Sequence, residues 1–336
     1  MRPRMSDVAK LAGVSAKTVS NVVNGYEHVS PEMRAKVLAA ITELNYVPNV
    51  SARSLRTGRT KVIALALPDL AVPYFGELAR HITRAAEEHD FTILIDQTDG
   101  LVDRERQIAS GLRDNVIDGL IFSPLALGAE EIAAASSETP MVLLGEREHP
   151  ATTDHVAFDN IAAARLATGH LVRLGRTRIA AIGSQVERRV GTGALRLEGH
   201  QSALKDAGLP VDDQLVVPTR RLHRMEGVRA MDELLDLPEP PDAVVCFNDL
   251  VALGALYTLR RRGLRVPDDV AVVGFDDIEE STYSNPTLTT ISPDKERIAT
   301  TAIDLLVRRL AGKRGTDSRE VLVDFQLVQR ESTQLR

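Results

Sequence analysis

The chain has 336 residues, too many for one ordinary hydrophobic core, so we expect two or three domains. It has 43% apolar and 26% charged residues and one cysteine, Cys246, which excludes an intramolecular disulfide. No stretch approaches the ~20 apolar residues of a transmembrane helix, and the N-terminus lacks an apolar signal segment, so we expect a cytoplasmic protein. Residues 1–60 carry nine Lys/Arg against four Asp/Glu, and the rest 32 against 43, which predicts a local polyanion-binding module at the N-terminus.

Residues 7–25, DVAKLAGVSAKTVSNVVNG, predict two short amphipathic helices joined by a turn. Gly13 can take the left-handed conformation that ends the first helix, and Ser15 is a good N-cap for the second, which runs to about Asn24. One side of the second helix is apolar and packs inward. The other side carries small and hydrogen-bonding residues suited to a DNA major groove: Ala16, Lys17, Ser20 and Asn21. A generic helical hairpin with a solvated polar face is the alternative.

A third helix begins at Ser30-Pro31 and runs to about Leu44. Its inward side is predicted to hold Val37, Leu38, Ile41 and Leu44, which completes a three-helix headpiece.

The next segment, residues 50–56, predicts a seven-residue helix that is marginal in isolation. It places Leu55 on the same face as Ser51 and Ala52, with Arg53 nearby. A segment that folds on DNA would use its small residues for close packing of two copies in the minor groove. Leu55 would wedge into a base step, and the arginines would hold phosphate.

From residue 61 onward, apolar strands alternate with amphipathic helices, which is typical of parallel sheets covered on both faces. About 275 residues of this pattern exceed one comfortable sheet, so we predict two doubly wound α/β lobes. After a short crossover at 286–291, the pattern predicts a last helix over 293–310 and a last strand over 321–328.

Several motifs in a fixed order resemble the LacI/GalR family of bacterial transcriptional regulators along essentially the whole chain. Besides residues 7–25, they are HVSPEMRAKVLAAITELNYVPN, ARSLRTGRT, PDLAVPYFGELA, LRLEGH, FNDLVALGAL, VVGFDD and PTLTTI. The resemblance implies a helix-turn-helix headpiece (1–47), a hinge helix (48–60) and a core like a type I periplasmic binding protein (61–336). It also implies three crossings between lobes, with an N-lobe of about 61–158 and 291–318 and a C-lobe of about 159–290 and 319–336.

The resemblance assigns roles to residues of the headpiece and hinge. Ala16, Lys17 and Asn21 match base-reading positions, and Leu55 matches an intercalating leucine. For Lys17, a phosphate contact that positions the protein without reading sequence stays open. Contacts to the DNA backbone are expected from Asn24, Ser30 and Tyr46. Arg4 stands where many members have a capping Thr, so Ser6 or Asp7 must cap the first helix.

In the core, the resemblance implies an effector cleft between the lobes. Arg196, Asp276 and Asn248 match residues that hold hydroxyl or carboxylate groups, and the cleft is expected to include Asp69, Phe75 and Thr192. Asn248 is equally suited to cap a helix, and Phe75 to pack in the core. Leu222 or His223 occupies a region where several members have a stacking aromatic, and Ala126 stands where some have an acid.

The resemblance implies a sequence-specific repressor whose DNA affinity is controlled allosterically by a small-molecule effector. It implies a homodimer on a near-palindromic operator, with a tetramer left open. A carbohydrate is the effector class that the resemblance favours, and a nucleoside or another small metabolite stays open. A sugar carrier without regulatory role is the alternative. No GxGxxG after a strand, GxxxxGK[ST], GxSxG or HExxH motif is present, so we expect no enzyme activity, cofactor or metal site.

Overall fold

A computed structural model describes residues 3–23, 26, 28–46, 59–110, 116–145, 150, 152–185, 191–312 and 318–334, with the backbone only at 137 and 138. The chain divides into two compact units, residues 1–60 and 61–336. None of the helices within these ranges is long and apolar enough to cross a membrane.

The first unit is a three-helix headpiece of α1 (Met5–Ala12), α2 (Ala16–Val23) and α3 (Pro31–Glu43). Its small core consists of Val8, Ala9, Val19, Val22, Val37, Ala40 and Tyr46. The inward side predicted for α3 is wrong at Leu38, which is 50% exposed, because Ala40 takes the place facing α1 and α2.

The headpiece helices begin and end on the residues that their local chemistry favours. Gly13 has φ of 65° and ends α1, with the N–H of Val14 donating to the carbonyl of Ala9 at 3.0 Å. The Ser15 hydroxyl accepts from the N–H of Thr18 at 3.1 Å and caps α2. At the start of α1, the Asp7 carboxylate reaches back to the N–H of Arg4 at 2.8 Å, so Asp7 supplies the cap that Arg4 cannot.

The second unit, the core, contains two six-stranded sheets that form two lobes. In the first lobe, the strand order is β11-β5-β4-β3-β1-β2 and all pairs are parallel. Its strands are β1 (Val62–Leu67), β2 (Thr92–Gln97), β3 (Gly119–Phe122), β4 (Met141–Leu144), β5 (Asp154–Ala157) and β11 (Glu320–Leu322). Its helices are α4 (Pro73–Glu87), α5 (Val102–Ala109), α6 (Ala129–Glu138) and α12 (Lys295–Leu310).

In the second lobe, the strand order is β12-β10-β9-β8-β6-β7, and only the edge strand β12 runs antiparallel to its neighbour. Its strands are β6 (Ile179–Ser184), β7 (Val216–Pro218), β8 (Ala243–Cys246), β9 (Ala271–Phe275), β10 (Thr289–Pro293) and β12 (Phe325–Val328). Its helices are α7 (Asn160–Arg173), α8 (Thr192–Asp206), α9 (Arg224–Leu235), α10 (Asp249–Arg261) and α11 (Glu279–Tyr283). Most strands in both lobes are buried on both faces, which is why they read as continuous apolar runs.

Helices α9 and α10 approach each other closely because both carry a glycine at the contact. A Cβ added to Gly227 would lie 2.1 Å from the carbonyl oxygen of Val251, and one added to Gly254 would lie 2.1 Å from that of Arg224. Only glycine permits this backbone separation. The pair fixes the position of α10, whose N-terminus carries Asn248 and Asp249.

The described elements pass between the sheets after β5, after β10 and after β11. This corrects two predicted lobe boundaries, at 291 and 319. The strand β10 pairs with β9 in the second lobe through residue 293, and β11 pairs with β5 in the first lobe at 320–322. The single strand predicted over 321–328 is therefore two short strands in different sheets, separated at Val323 and Asp324.

Candidate functional site

Helix α2 of the headpiece presents a polar side outward. Ala16 and Lys17 are exposed and Ser20 and Asn21 are half-buried, whereas Val19 and Val22 are buried in the headpiece core. The backbone of α2 is thereby held by apolar contacts on one side only. Its other side can meet a groove without unfolding the hairpin.

Two of the predicted DNA-backbone residues have structural roles in the headpiece. Ser30 is exposed and caps α3, with its hydroxyl accepting from the N–H of Met33 at 3.3 Å. Tyr46 is only 6% exposed and packs in the headpiece core, and its contact to the DNA backbone stays a prediction. Five further predicted residues lie outside the described ranges: Asn24, Ser51, Ala52, Arg53 and Leu55.

In the core, one cavity of about 380 Å³ is lined by both lobes. Its walls come from loops that follow the carboxyl ends of β1, β3, β6, β8 and β9, the usual location of ligand sites in parallel sheets. All six residues predicted for the effector cleft line this cavity: Asp69, Phe75, Thr192, Arg196, Asn248 and Asp276. Its volume is sufficient for a small polyhydroxylated molecule.

Arg196 lies in the second turn of α8 and is 4% exposed. Its Nε donates to Oδ1 of Asn160 at 2.6 Å, and its Nη1 donates to the carbonyl oxygen of Phe247. Its Nη2 lies 3.9 Å from Oδ1 of Asp276, and its guanidinium carbon lies 4.3 Å from the ring centre of Phe275. Because a guanidinium has five donors, these contacts orient the fork and leave donors for a ligand.

Asp276 follows β9 in a backbone conformation that few residues adopt, with φ of 103°. Its N–H donates to the carbonyl of Ile291 at 2.8 Å, and its own carbonyl accepts from Nζ of Lys295 at 2.7 Å. Lys295 also pairs with Glu77 of α4 at 2.5 Å, which links the loop to the first lobe. These contacts hold the Asp276 carboxylate, 7% exposed, at the cleft wall.

Asp249 supports the same loop from beneath. Its buried carboxylate accepts from the N–H of Ile278 at 3.0 Å and from the hydroxyls of Ser281 and Thr290 at 2.7 and 2.6 Å. Burial, together with the nearby Asp276 carboxylate, raises the pKa of Asp249 to about 8. The structure thus places Asp249 under the loop that carries Asp276.

Both roles considered for Asn248 are compatible with its position. Its Oδ1 accepts from the N–H of Val251 at 2.9 Å, so it caps α10, and its Nδ2 donates to the carbonyl of Leu222 at 2.9 Å. Phe75 likewise packs on the first-lobe core while lining the cavity. Thr192 is the first residue of α8 and lines the same wall.

A polar contact that sequence reasoning missed joins the two lobes across the cleft. Nε2 of His223, the residue before α9, lies 3.0 Å from Oδ2 of Asp69, which follows β1. The sequence marked His223 only as a position without the usual aromatic. Both Leu222 and His223 line the cavity.

A second missed residue, Glu105, organises the first-lobe wall. Its fully buried carboxylate accepts from the N–H groups of Leu125, Ala126 and Leu127 at 2.7, 2.8 and 2.9 Å. Three backbone bonds to one carboxylate fix the loop that carries Leu125 into the cavity. Ala126 stands where some family members have an acidic side chain. Here its backbone N–H donates to an acidic side chain of α5, Glu105.

Two family models match the chain. The model for bacterial regulatory proteins of the lacI family matches residues 4–49, and the periplasmic binding protein-like domain matches residues 168–333. The ribose operon repressor of Escherichia coli (strain K12) is 36% identical over 91% of this chain and 92% of its own length. The chain belongs to the LacI family. It is accordingly a DNA-binding transcriptional regulator with a small-molecule-binding core.

Solved structures agree with this LacI-family assignment. The lac repressor dimer bound to operator and the anti-inducer ONPF superimposes with a TM-score of 0.87 at 28% identity, covering 99% of both chains. The complex of the transcriptional regulator CelR with cellobiose gives a TM-score of 0.73 at 33% identity, covering 98% of this chain and all of CelR. The fold class of helical headpiece plus two-lobed α/β core is confirmed.

Proposed function

We propose that this LacI-family regulator is a repressor whose operator affinity is controlled by a sugar-like effector bound in the cleft. The residues that line the cleft are the observation that supports this proposal. Arg196, Asn248 and Asp276 on the second lobe face the cavity together with Asp69 and Phe75 on the first. A ligand that contacts both lobes can bind one relative orientation of the lobes more tightly than another. This difference in affinity is what allosteric control of operator binding requires.

Polyol recognition suits the chemistry of these side chains. A guanidinium fork and a carboxylate can each engage two adjacent hydroxyl groups, while Phe75 offers an apolar face to a sugar ring. Among the relatives, one represses a ribose operon and another was solved with cellobiose. Thr192 and Asp69 complete the polar lining of the proposed effector site.

For the DNA, we propose that the outward side of α2 reads bases through Ala16, Lys17, Ser20 and Asn21. Asparagine suits an adenine edge and lysine a guanine edge, and each good contact contributes ~1–3 kcal/mol of discrimination. Contacts to the DNA backbone are proposed for Asn24, Ser30 and Tyr46. The hinge role of Ser51, Ala52, Arg53 and Leu55 in the minor groove is proposed from the sequence alone.

Two copies of this chain are needed for such an operator, because a twofold-symmetric dimer places two α2 helices in successive major grooves. The lac repressor relative was solved as a dimer on operator. We further infer a cytoplasmic location and no catalytic role for the cleft. The alternative of a sugar carrier is disfavoured by the match of residues 4–49 to the lacI regulatory model.

The experiment is a fluorescence anisotropy titration of the full-length protein on a duplex selected from a random library. Affinity should fall steeply between ~50 and ~200 mM salt, because the basic headpiece neutralises phosphates. Lys17→Ala should weaken binding by ~1–3 kcal/mol and relax the preference at one base pair. The control Lys36→Ala removes an exposed lysine that pairs with Glu32 on α3. Equal losses for both variants on all sequences would contradict base reading by Lys17.

A further inference from the structure

Two arginines at the cleft stand apart from the residues already assigned. Arg220 and Arg221 follow β7 and line the cavity from the second lobe, and both are exposed. Within the described ranges, neither guanidinium forms an ion pair or a hydrogen bond with another residue. They immediately precede Leu222 and His223, so they sit on the same loop as the bridge to Asp69.

Three carboxylates line the described part of the cavity, and each lies next to a basic side chain other than Arg220 or Arg221. Asp69 contacts His223 at 3.0 Å, Asp99 pairs with Arg104, and Asp276 lies 3.9 Å from Arg196. Among the described residues, no carboxylate pairs with Arg220 or Arg221, so both guanidinium groups are available to a ligand in the cavity.

We propose that the effector is anionic: a hydroxylated molecule that bears a phosphoryl or carboxylate group, such as a sugar phosphate or a sugar acid. Arg220 and Arg221 bind its anionic group, while Arg196, Asn248 and Asp276 bind its hydroxyl groups. This proposal rests on the proposed effector cleft and specifies the chemical class of its ligand. The guanidinium forks suit it because they match both phosphate and carboxylate oxygens in bidentate geometry.

Apolar side chains line the cavity together with Arg220 and Arg221. Leu222 adjoins the arginines in sequence, and Leu101 and Leu125 line the cavity from the first lobe. Charged hydrogen bonds gain strength where a bound ligand excludes water. A neutral sugar offers Arg220 and Arg221 no negative charge, whereas an anionic group forms the stronger, charge-assisted hydrogen bonds with both.

The test is isothermal titration calorimetry of the full-length protein with matched pairs of ligands. The probes are glucose, glucose 6-phosphate, gluconate, glucuronate, ribose, ribose 5-phosphate and inorganic phosphate. We expect at least one anionic sugar to bind about 10-fold or more tightly than its neutral parent, because hydrogen bonds to charged groups are the stronger ones. The phosphate and carboxylate arms then identify which anionic group is recognised.

Variants locate the subsite. Arg220→Gln and Arg221→Gln should each lower the affinity for the anionic sugar on the order of 10-fold and leave the affinity for its neutral parent unchanged. Arg308→Gln is the matched control, because Arg308 is an exposed arginine on α12 that does not line the cavity. It should leave both affinities unchanged.

The outcomes separate this proposal from the proposed function. If no anionic probe exceeds its neutral parent, or if the two cleft variants behave like Arg308→Gln, the anionic effector is refuted. A neutral sugar that binds and alters operator affinity would then still support the repressor. Absence of selective DNA binding would refute the repressor itself, whatever the cleft binds.

Discussion

Replacing Arg196 by Ala should destabilise the core even in the absence of an effector. The side chain is 4% exposed, and its donors serve Asn160, the carbonyl oxygen of Phe247 and the Asp276 carboxylate. Truncation leaves a carboxylate that is 7% exposed without its guanidinium neighbour. Removing one member of a buried ionic pair typically costs ~3–5 kcal/mol, so we expect a loss of that size in the free energy of unfolding.

The measurement is urea unfolding at pH 7 without effector, followed by far-UV circular dichroism because the chain contains no tryptophan. For a core of this size, the expected loss corresponds to a lowering of Tm on the order of 10 °C. Arg196→Lys should lie between the wild type and Arg196→Ala, since it keeps the charge and loses the fork. The double variant Arg196→Ala with Asp276→Asn should recover part of the loss, because the buried carboxylate that lost its guanidinium neighbour is gone.

Two results would refute this reasoning. One is a loss below ~1 kcal/mol for Arg196→Ala, which would mean that water replaces the guanidinium at little cost. The other is a double variant less stable than Arg196→Ala, which would mean that the carboxylate is not the source of the penalty. The first result would leave Arg196 without a structural role, and the second would assign its structural role to Asn160 and the Phe247 carbonyl.

The remaining predictions concern pH and helix packing. Because burial raises the pKa of Asp249 to about 8, its contribution to stability is complete below about pH 4 and declines as the pH rises toward 8. Asp249→Asn should flatten this decline by at most ~1.4 kcal/mol per pH unit, and parallel slopes for both proteins in urea unfolding would contradict the raised pKa. Gly227→Ala should lower Tm because its Cβ would lie 2.1 Å from the Val251 carbonyl oxygen. Gly169→Ala on α7, where the nearest atom is 3.5 Å away, should leave Tm unchanged or raise it, and similar shifts for both would refute the close approach of α9 and α10.

Local chemistry in the sequence determined the helices of the headpiece. Gly13 and Ser15 set the turn between α1 and α2, and Ser30-Pro31 begins α3, since these capping preferences depend on neighbours within one turn. Leu38 was predicted to be buried and is exposed. Helix α3 carries more apolar residues than its contacts with the two short helices α1 and α2 can bury.

In the core, the alternation of apolar strands and amphipathic helices was enough to predict parallel sheets. It could not decide which sheet a strand joins, because pairing depends on residues far away in the chain. Residues 321–328 illustrate this limit: Val321 pairs with Val156, while Leu327 pairs with Ile291. The strand β5 also escaped prediction, since its first residues, Asp154 and His155, read as polar although both are buried.

The cleft shows the same division between local and long-range information. The family resemblance identified six residues that prove to line one cavity, because their motifs follow the carboxyl ends of parallel strands. Only the tertiary structure joined Arg196 to Asn160, Asp249 to the loop of Asp276, and Asp69 to His223. These contacts span from 29 to 154 positions in the chain, and side-chain hydrogen bonds at such separations leave no periodic signal in the sequence.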